Sequence, residues 1–264
     1  MFSSKLSRDP RGSSMVLIKF IGTGGGRYVM ISQERLTGGL VIEHSNSLVA
    51  IDPGPSAVYG YKLFGVPVWR INGLIVSHGH PDHYAEADVV IEGMTHGGQV
   101  KKGLLAISEY MHARGYGISP YHRNLVEKYY VLKEGISVSI NSLQVRPFRV
   151  LHTEPSTMGF RIEVGGKTIT YVADTKYFSK LRHYIDKSDL VILPVTLPRD
   201  YRLPHHLNTS DAVMLLKDVD IGLCVITHFG AKMIEIGPER EARWIKDRTG
   251  CEVIAARDGL NIEL

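Results

Sequence analysis

Residues 75–83 read Ile-Val-Ser-His-Gly-His-Pro-Asp-His, and the fold and function of the whole chain follow from this stretch. Within six residues it supplies three imidazoles and one carboxylate, directly after the apolar run of residues 73–76. Neutral imidazole nitrogen and carboxylate oxygen are ligands that zinc and similar divalent ions accept. The composition therefore predicts a metal site, in preference to a set of unrelated surface and turn residues.

The spacing inside this stretch predicts two neighbouring ligand positions. His78 and His80 lie two residues apart, so extended backbone at a strand end would point both side chains in the same direction. Pro81 ends the extended run, and Asp82 is then expected to be the N-cap of a helix through residues 84–86. Asp82 and His83 would therefore face a second position beside the first.

The composition is that of a globular protein with enough apolar material for a large core. The 264 residues are 44% hydrophobic and 22% charged, which suits one large α/β or β-sandwich unit. The net charge of +4 is compatible with an anionic substrate but is too small to identify one. Cys224 and Cys251 do not form a disulfide framework, and the apolar neighbours of Cys224 favour a buried inert thiol.

The pattern of apolar and charged residues predicts no export signal and no membrane partner. Every apolar run falls short of the roughly 18 residues that a membrane span requires. Residues 1–14 carry several charges and no apolar h-region, unlike a secretory signal. We expect them to form a flexible extension before a natural start at Met15, and we expect the protein to be cytoplasmic.

A glycine-rich loop follows the first predicted strand, residues 16–21. The loop, residues 22–27, reads Gly-Thr-Gly-Gly-Gly-Arg and lacks the full spacing of the G-x-G-x-x-G fingerprint. No clear crossover helix follows it, so dinucleotide binding is disfavoured. We expect instead a tight loop whose backbone amides come close to a ligand or to the metal site.

Several later predicted strands are followed by a residue that can bind a metal or support a metal ligand. Apolar and alternating patterns predict strands at residues 39–43, 47–51, 136–140, 143–148, 158–163, 167–172, 190–194 and 223–227. The candidates that follow four of these patterns are Asp52, His152, Asp174 and His228. Taken alone, a strand-end histidine is more often structural, and Asp52 is equally well explained as a turn residue.

A loop at residues 200–206 ends in two adjacent histidines, His205 and His206, before a predicted helix. Thr209 or Ser210 is the expected cap of that helix. As solvated loop residues the two histidines would have no role. A second predicted helix covers residues 235–248, with Pro238 at its start.

Residues 93–133 form the segment with the least familiar pattern. They contain six Lys or Arg, two Glu and five Tyr. Basic and aromatic side chains together suit contacts with phosphates and bases. The alternative is an ordinary insertion that covers the site or forms a contact in a homo-oligomer.

The spacing His-x-His-x-Asp-His after a buried strand resembles the metal motif of the metallo-β-lactamase superfamily of hydrolases. The strand followed by Gly-Thr-Gly-Gly, and His206 before a Thr/Ser-capped helix, are similar to its ribonuclease Z and cyclic-phosphate phosphodiesterase branch. The resemblance covers about residues 16–260. It implies an α/β fold, a four-layer αβ/βα sandwich with two facing mixed β-sheets and outer helices. We expect residues 15–264 to form one such domain, with the segment at about 93–133 inserted.

The resemblance also implies a ligand set for two divalent ions. One ion is assigned to His78, His80 and His152. The second is assigned to Asp82, His83 and His228, and Asp174 bridges the two. Zinc suits this histidine-rich set best, although manganese and iron accept the same ligands.

Three further roles come from the same resemblance. Asp52 matches an aspartate that supports the metal loop from outside the ligand set. Asp82 is also a candidate for orienting or deprotonating the attacking water. His206 is a candidate for contacting the scissile phosphate or the leaving group without binding metal.

The implied function is hydrolysis at a two-metal centre. Two ions holding one water lower its pKa towards neutral and stabilise negative charge in the transition state. A phosphodiesterase acting on an anionic substrate, either a nucleic acid or a small cyclic phosphate, is the first hypothesis. The alternative is a hydrolase of a carboxylic ester, thioester or lactone, which needs the metals but not His206. A redox diiron protein is more remote, because that branch usually has glutamate in place of His80.

Overall fold

The computed structural model describes residues 15–264, and the expected extension at residues 1–14 lies outside the described residues. The strands are β1 (Leu17–Phe20), β2 (Leu40–His44), β3 (Ser47–Ile51), β4 (Gly73–Val76), β5 (Leu104–Ser108), β6 (Lys128–Leu132), β7 (Val138–Ile140), β8 (Leu143–Arg149), β9 (Met158–Val164), β10 (Lys167–Tyr171), β11 (Ser188–Leu197), β12 (Leu207–Asn208), β13 (Ile221–Thr227), β14 (Val253–Ala255) and β15 (Asn261–Glu263). The helices are α1 (Gly26–Ser32), α2 (Ala57–Leu63), α3 (Pro81–Tyr84), α4 (Ala87–Met94), α5 (Glu109–Arg114), α6 (Pro120–Leu125), α7 (Leu181–Ile185), α8 (Thr209–Leu216), α9 (Ala231–Ile236) and α10 (Pro238–Thr249).

The first sheet has seven strands in the order β15-β1-β2-β3-β4-β5-β6. Strand β1 pairs antiparallel with β15 and β2, and β2 pairs antiparallel with β3, whereas β3 to β6 are parallel to one another. Parallel neighbours need crossover connections, and helices α2 to α6 provide them. The carboxyl ends of β3, β4 and β5 therefore lie along one edge of this sheet.

The second sheet has the order β14-β13-β11-β10-β9-β8-β7, with β12 paired to β11. Hairpins form β7 to β10, and the turn between β9 and β10 uses Gly165 and Gly166, both at positive φ. Strands β10, β11, β13 and β14 are parallel and are connected through helices α7 to α10. This sheet is mixed, like the first.

Apolar side chains on the facing sides of the two sheets form one continuous core. The inward residues of the first sheet include Ile18, Phe20 and Ile75, and those of the second include Phe160 and Ile192. A separate cluster lies on the outer face of the first sheet and contains residues of α2, α4 and α5. The four layers confirm the αβ/βα sandwich. None of the helices in residues 15–264 is long and apolar enough to cross a membrane.

Strand β4 shows why the sequence before the metal motif is apolar without alternation. Ile75 belongs to the core between the sheets, whereas Leu74 and Val76 belong to the outer cluster with Val90 and Ile91 of α4. A strand covered on both faces needs apolar side chains at every position. The motif is thus attached to a strand buried on both sides.

The segment at 93–133 differs from the expected insertion. It supplies β5, an inner strand between β4 and β6, and it also supplies β6 at the edge of the sheet. The exposed alternate positions of β6, Lys128 and Tyr130, give this edge strand its basic and aromatic character. The segment is therefore continuous with the first sheet for much of its length.

Two predicted helix boundaries are also wrong. His80, and not Asp82, occupies the N-cap position of α3, because the carboxylate of Asp82 lies beside His228 and His83 instead. Asn208 caps α8 in a capping box with Asp211, in place of Thr209 or Ser210. The helix predicted at 235–248 is present as α10 with Pro238 at its start, as expected, whereas residues 235 and 236 belong to α9, which Gly237 separates from α10 at φ 100°.

Candidate metal centre

Loops that follow five strands meet at one edge of the sandwich. Residues 77–83 follow β4, His152 follows β8, Asp174 follows β10, His206 follows β11 and His228 follows β13. The structure brings all eight candidate ligand and catalytic residues together. Four groups of three among them have potential ligand atoms within 4.8 Å of one another: His78, His80 and His152; His78, His83 and Asp174; Asp82, His83 and His228; His152, Asp174 and His206.

The first group, His78, His80 and His152, presents three ring nitrogens to one point. His80 Nδ1 lies 3.1 Å from His152 Nε2. The Nε2 atom of His78 is buried and has no hydrogen-bond partner. A buried polar atom without a partner is costly unless a ligand satisfies it.

The opposite nitrogens of these rings are held by neighbouring oxygens. Ser77 Oγ lies 3.0 Å from His78 Nδ1, and Thr153 Oγ1 lies 3.1 Å from His80 Nε2. The carbonyl oxygen of His205 lies 3.1 Å from His152 Nδ1, which can only donate to it. The carbonyl contact fixes the tautomer of His152, and the hydroxyl contacts of His78 and His80 are compatible with a tautomer that leaves the remaining nitrogen lone pair free for a metal.

The second group, Asp82, His83 and His228, lies beside the first. His83 Nε2 and His228 Nε2 are 3.2 Å apart, and His228 Nε2 is 3.4 Å from Asp82 Oδ2. His228 is one of the non-glycine residues with positive φ, at 62°. Thr196 Oγ1 lies 3.1 Å from His228 Nδ1, so this ring is also held from behind.

Asp174 lies between the two groups. Its Oδ1 is 3.3 Å from His228 Nε2, and its Oδ2 is 3.6 Å from His83 Nε2 and 3.8 Å from His152 Nε2. The residue is 2% exposed, and Oδ1 makes no hydrogen bond. One carboxylate thus offers an oxygen to each group, as a ligand shared between two ions would.

The protonation states also suit metal binding. Burial lowers the pKa of His78 well below its usual value, and burial lowers the pKa of His152 to about 4. Burial alone would raise the pKa of Asp174, but His228 and His83 hold it well below its ordinary range. These shifts favour neutral imidazole and ionised carboxylate, the forms that coordinate metals.

His83 behaves differently when the centre contains no ion. Burial lowers its pKa, but Asp82 and Asp174 outweigh burial and raise that pKa well above the usual value. A proton on His83 then balances the buried carboxylates. A divalent cation at this position would replace the proton, so the residues present fit a metal in both charge and donor type.

Asp52 contacts the second group from outside the candidate ligand set. Its Oδ2 lies 3.0 Å from His83 Nδ1 and accepts hydrogen bonds from Ser77 Oγ and Tyr171 Oη, both at 2.6 Å. Its Oδ1 accepts the backbone N–H of Ser77 at 2.7 Å. Asp52 therefore connects the metal loop of the first sheet to Tyr171 of the second sheet.

The glycine-rich loop closes one side of the centre. Gly25 N–H donates to the carbonyl of Phe229, and Gly26 N–H donates to Asp82 Oδ2 at 2.8 Å. A Cβ atom on Gly25 would lie 2.3 Å from the His228 ring, so only glycine fits here. The expected close approach of the loop amides to the site is present.

Asp258 fixes the other end of this loop. Its Oδ1 accepts hydrogen bonds from Thr23 N at 2.9 Å and from Thr23 Oγ1 at 2.7 Å. Its Oδ2 accepts the backbone N–H of Leu36 at 2.8 Å. A residue near the C-terminal end of the chain thus holds a loop near its beginning.

His206 lies at the more open side of the centre. Its side chain is 20% exposed, and its Nδ1 is 3.7 Å from Asp174 Oδ2 and 3.4 Å from Thr196 Oγ1. The preceding loop is tethered by Arg199, whose guanidinium lies 2.8 Å from the fully buried Glu241 of α10. Sequence reasoning missed Ser77, Tyr171, Thr196, Asp258 and Glu241, and of these only Ser77, next to His78, carried a local signal.

The sequence matches a family model and is similar to other proteins. Residues 48–229 match the model of the β-lactamase superfamily domain. An uncharacterized protein of Methanocaldococcus jannaschii is 34% identical over 256 residues, which cover 94% of this chain and 95% of that protein. The probable metallo-hydrolase YhfI of Bacillus subtilis is 25% identical over 236 residues, which cover 86% of this chain and 93% of that protein.

Solved structures share the architecture. The metallo-β-lactamase fold protein YhfI superposes with a TM-score of 0.78 at 20% identity, over 95% of this chain and 100% of that one. A diphosphatase from the PhnP family gives 0.67 at 18% identity, over 94% and 98% of the two chains. The short form of human tRNase Z gives 0.67 at 16% identity, over 93% and 98%. At these identities the three structures show a common fold.

Proposed function

The chain belongs to the β-lactamase superfamily, and on this premise we propose that it is a phosphodiesterase that works with two divalent metal ions. The observation that carries the proposal is a pair of three-residue groups with the buried carboxylate of Asp174 between them. His78, His80 and His152 would hold one ion. Asp82, His83 and His228 would hold the other, and Zn²⁺ suits the five imidazoles best.

The ions would supply the part of the chemistry that no side chain here can supply. When bound, a pair of divalent ions lowers the pKa of a water molecule and polarises a phosphate group. The chain's own residues would orient the reacting groups and exclude bulk water from them. Asp82 is held ionised by His83 and His228, which outweigh burial and keep its pKa well below the ordinary value. Its carboxylate can therefore accept a proton or a hydrogen bond from the attacking water.

An anionic substrate is supported by three basic residues that lie near candidate site residues along the chain. Arg27 follows the loop residue that contacts Asp82, Lys176 lies two residues beyond Asp174, and Arg202 lies four residues before His206. All three residues are exposed. The similarity to a diphosphatase and to a tRNase Z adds support for a phosphate-containing substrate, either a small molecule or a nucleic acid.

His206 is the residue that separates a phosphodiesterase from a hydrolase of carboxylic esters. It lies beside Asp174 and at the opening, where an N–H could reach a phosphate oxygen or the leaving group. Burial lowers its pKa, so the ring is a neutral donor in the absence of substrate. A donor in this place would stabilise charge that develops on the phosphate.

We expect His206→Ala to slow the hydrolysis of bis-p-nitrophenyl phosphate by about 100-fold or more, the usual effect of losing an acid or donor. We expect the metal content, measured by inductively coupled plasma mass spectrometry, to stay unchanged. His112→Ala is the matched control, because His112 contacts Tyr129 at the surface and lies outside the centre. An unchanged phosphodiester rate would exclude the phosphate role. A lost ion would instead make His206 a ligand.

We also expect the full chain, purified without chelator, to contain about two divalent ions per molecule. Dialysis against a chelator should abolish hydrolysis, and added Zn²⁺ should restore it. A panel of phosphodiester, thioester and lactone substrates then decides the class of reaction. Faster turnover of thioesters or lactones than of phosphodiesters would contradict the proposed function, and one ion or none would contradict the two-ion centre.

A further inference from the structure

Glu154 is a buried carboxylate that lies outside the candidate ligand set. It follows His152 by two residues in the loop between β8 and β9, and it is 4% exposed. None of the metal-capable groups within residues 15–264 includes it. The carboxylate needs several hydrogen bonds to be stable at such a depth, because a buried charge without partners is costly.

Four donors surround the two oxygens of Glu154. Oε1 accepts hydrogen bonds from Ser108 Oγ at 2.5 Å and from Ser156 Oγ at 3.2 Å. Oε2 accepts the backbone N–H of Gly79 at 2.7 Å and the hydroxyl of Tyr116 at 3.1 Å. Both oxygens are therefore occupied by the protein itself, which excludes Glu154 as a ligand or as a catalytic base.

The bond to Gly79 has a direct consequence for the first metal group. Gly79 lies between His78 and His80, so its peptide determines the direction in which both rings point. Tyr116 packs against the same turn, because a Cβ atom on Gly79 would lie 2.3 Å from the tyrosine hydroxyl. His152 lies two residues before Glu154 in the same loop. The carboxylate of Glu154 therefore fixes both loops that carry His78, His80 and His152.

The second metal group is supported independently. Asp52 contacts His83, Thr196 contacts His228, and Gly25 packs against the His228 ring. None of these contacts passes through Glu154. A change at Glu154 therefore acts on one half of the centre and leaves the supports of the other half in place.

We propose that Glu154 is the positioning residue of the His78–His80–His152 half of the centre, and that it sets the metal affinity of that half alone. The inference rests on the two-ion centre of the proposed function. The same contacts join Ser108 and Tyr116, from the 93–133 segment, to the metal loop. That segment therefore influences the centre through Glu154, without providing a ligand.

The test is a Zn²⁺ titration of the metal-free full chain by calorimetry, with a chelating dye as competitor. Wild type is expected to bind two ions. Glu154→Ala is expected to keep one site unchanged and to weaken the other by roughly 10- to 100-fold, the usual effect of losing a partner behind a ligand. Two unchanged sites, or two sites weakened equally, would overturn the proposal.

Two further variants separate positioning from a general structural role. Glu154→Gln keeps an oxygen for Gly79, and its amide can donate to the hydroxyls of Ser108 and Ser156, so both sites should remain within a few-fold of wild type. Tyr116→Phe removes one donor and keeps the Gly79 bond, so it should behave similarly. Selective weakening of one Zn²⁺ site in Tyr116→Phe but not in Glu154→Ala would contradict the role of Glu154.

The remaining outcomes are also informative. If Glu154→Ala does not fold, Glu154→Asp replaces it, because the shorter side chain cannot reach Gly79 and Ser108 together and should show the same selective loss. The titration contains no substrate, so it tests Glu154 separately from phosphodiester hydrolysis. Wild type with fewer than two sites would overturn the two-ion centre itself, whereas two wild-type sites with an unaffected variant would overturn only the role of Glu154.

Discussion

Asp174→Asn is expected to leave one of the two ions unbound and to reduce kcat/KM for a phosphodiester by more than 100-fold. Removing a partner behind a ligand already costs roughly 10- to 100-fold in affinity or activity, and Asp174 is placed to be a ligand itself. Its two oxygens lie 3.3 to 3.8 Å from ring nitrogens of His228, His83 and His152. Asparagine keeps the volume but turns an N–H₂ group towards one side, where it cannot coordinate a cation.

The measurement combines metal analysis with steady-state kinetics on bis-p-nitrophenyl phosphate. Asp189→Asn is the matched control, because Asp189 lies on β11 with its side chain 40% exposed and contacts Lys167 at the surface. It should keep both ions and full activity. An Asp174→Asn enzyme with two tightly bound ions and a rate within a few-fold of wild type would contradict the bridging role.

Gly25→Ala is expected to abolish metal binding by the group of Asp82, His83 and His228. Metal binding by the group of His78, His80 and His152 is expected to remain. The backbone at Gly25 is extended, with φ −152° and ψ 160°, so any residue could adopt it. The restriction is space alone, because the new methyl would lie 2.3 Å from ring atoms of His228. Either the loop or the ring must move. Overpacking of this kind typically lowers stability by about 1–3 kcal/mol.

Gly26→Ala provides the comparison for this variant. A Cβ atom there has nothing within 4 Å, but φ is +76°, so the substitution introduces strain of about 1–2 kcal/mol without touching His228. Thermal unfolding should report a loss of stability in both variants. Zn²⁺ titration should report a lost site only in Gly25→Ala. Two intact sites in Gly25→Ala would show that the ring is free to shift.

The sequence predicts four of the candidate ligands, His78, His80, Asp82 and His83, because they are adjacent in the chain. His78 to His83 form one short turn after a strand, so their proximity needs no knowledge of the rest of the fold. His152, Asp174 and His228 come from distant strands, and only the resemblance to a known family connected them to the motif. That resemblance, and the sandwich it implied, is confirmed by the family match and by the two sheets.

The supporting residues could not be predicted because their contacts depend on how the two sheets face each other. Tyr171 and Asp52 are 119 residues apart, and no local pattern marks the tyrosine as a partner of the aspartate. Glu154 could not be predicted for the same reason, since its donors come from the loop after β4, from β5, from the loop beyond α5 and from its own loop. The 93–133 segment was misleading for a different reason. An edge strand exposes alternate positions to solvent, so β6 carries the polar pattern of a surface insertion.

The bond between Thr23 and Asp258 has a consequence for how a newly made molecule matures. These residues are 235 positions apart, and Asp258 must be present before the loop that packs on His228 can be secured. Ribosomes add about 5–20 residues each second, so the glycine-rich loop is made many seconds before Asp258, which holds it in place. For the proposed two-ion centre, stable binding of the ion held by Asp82, His83 and His228 would therefore follow the synthesis of Asp258.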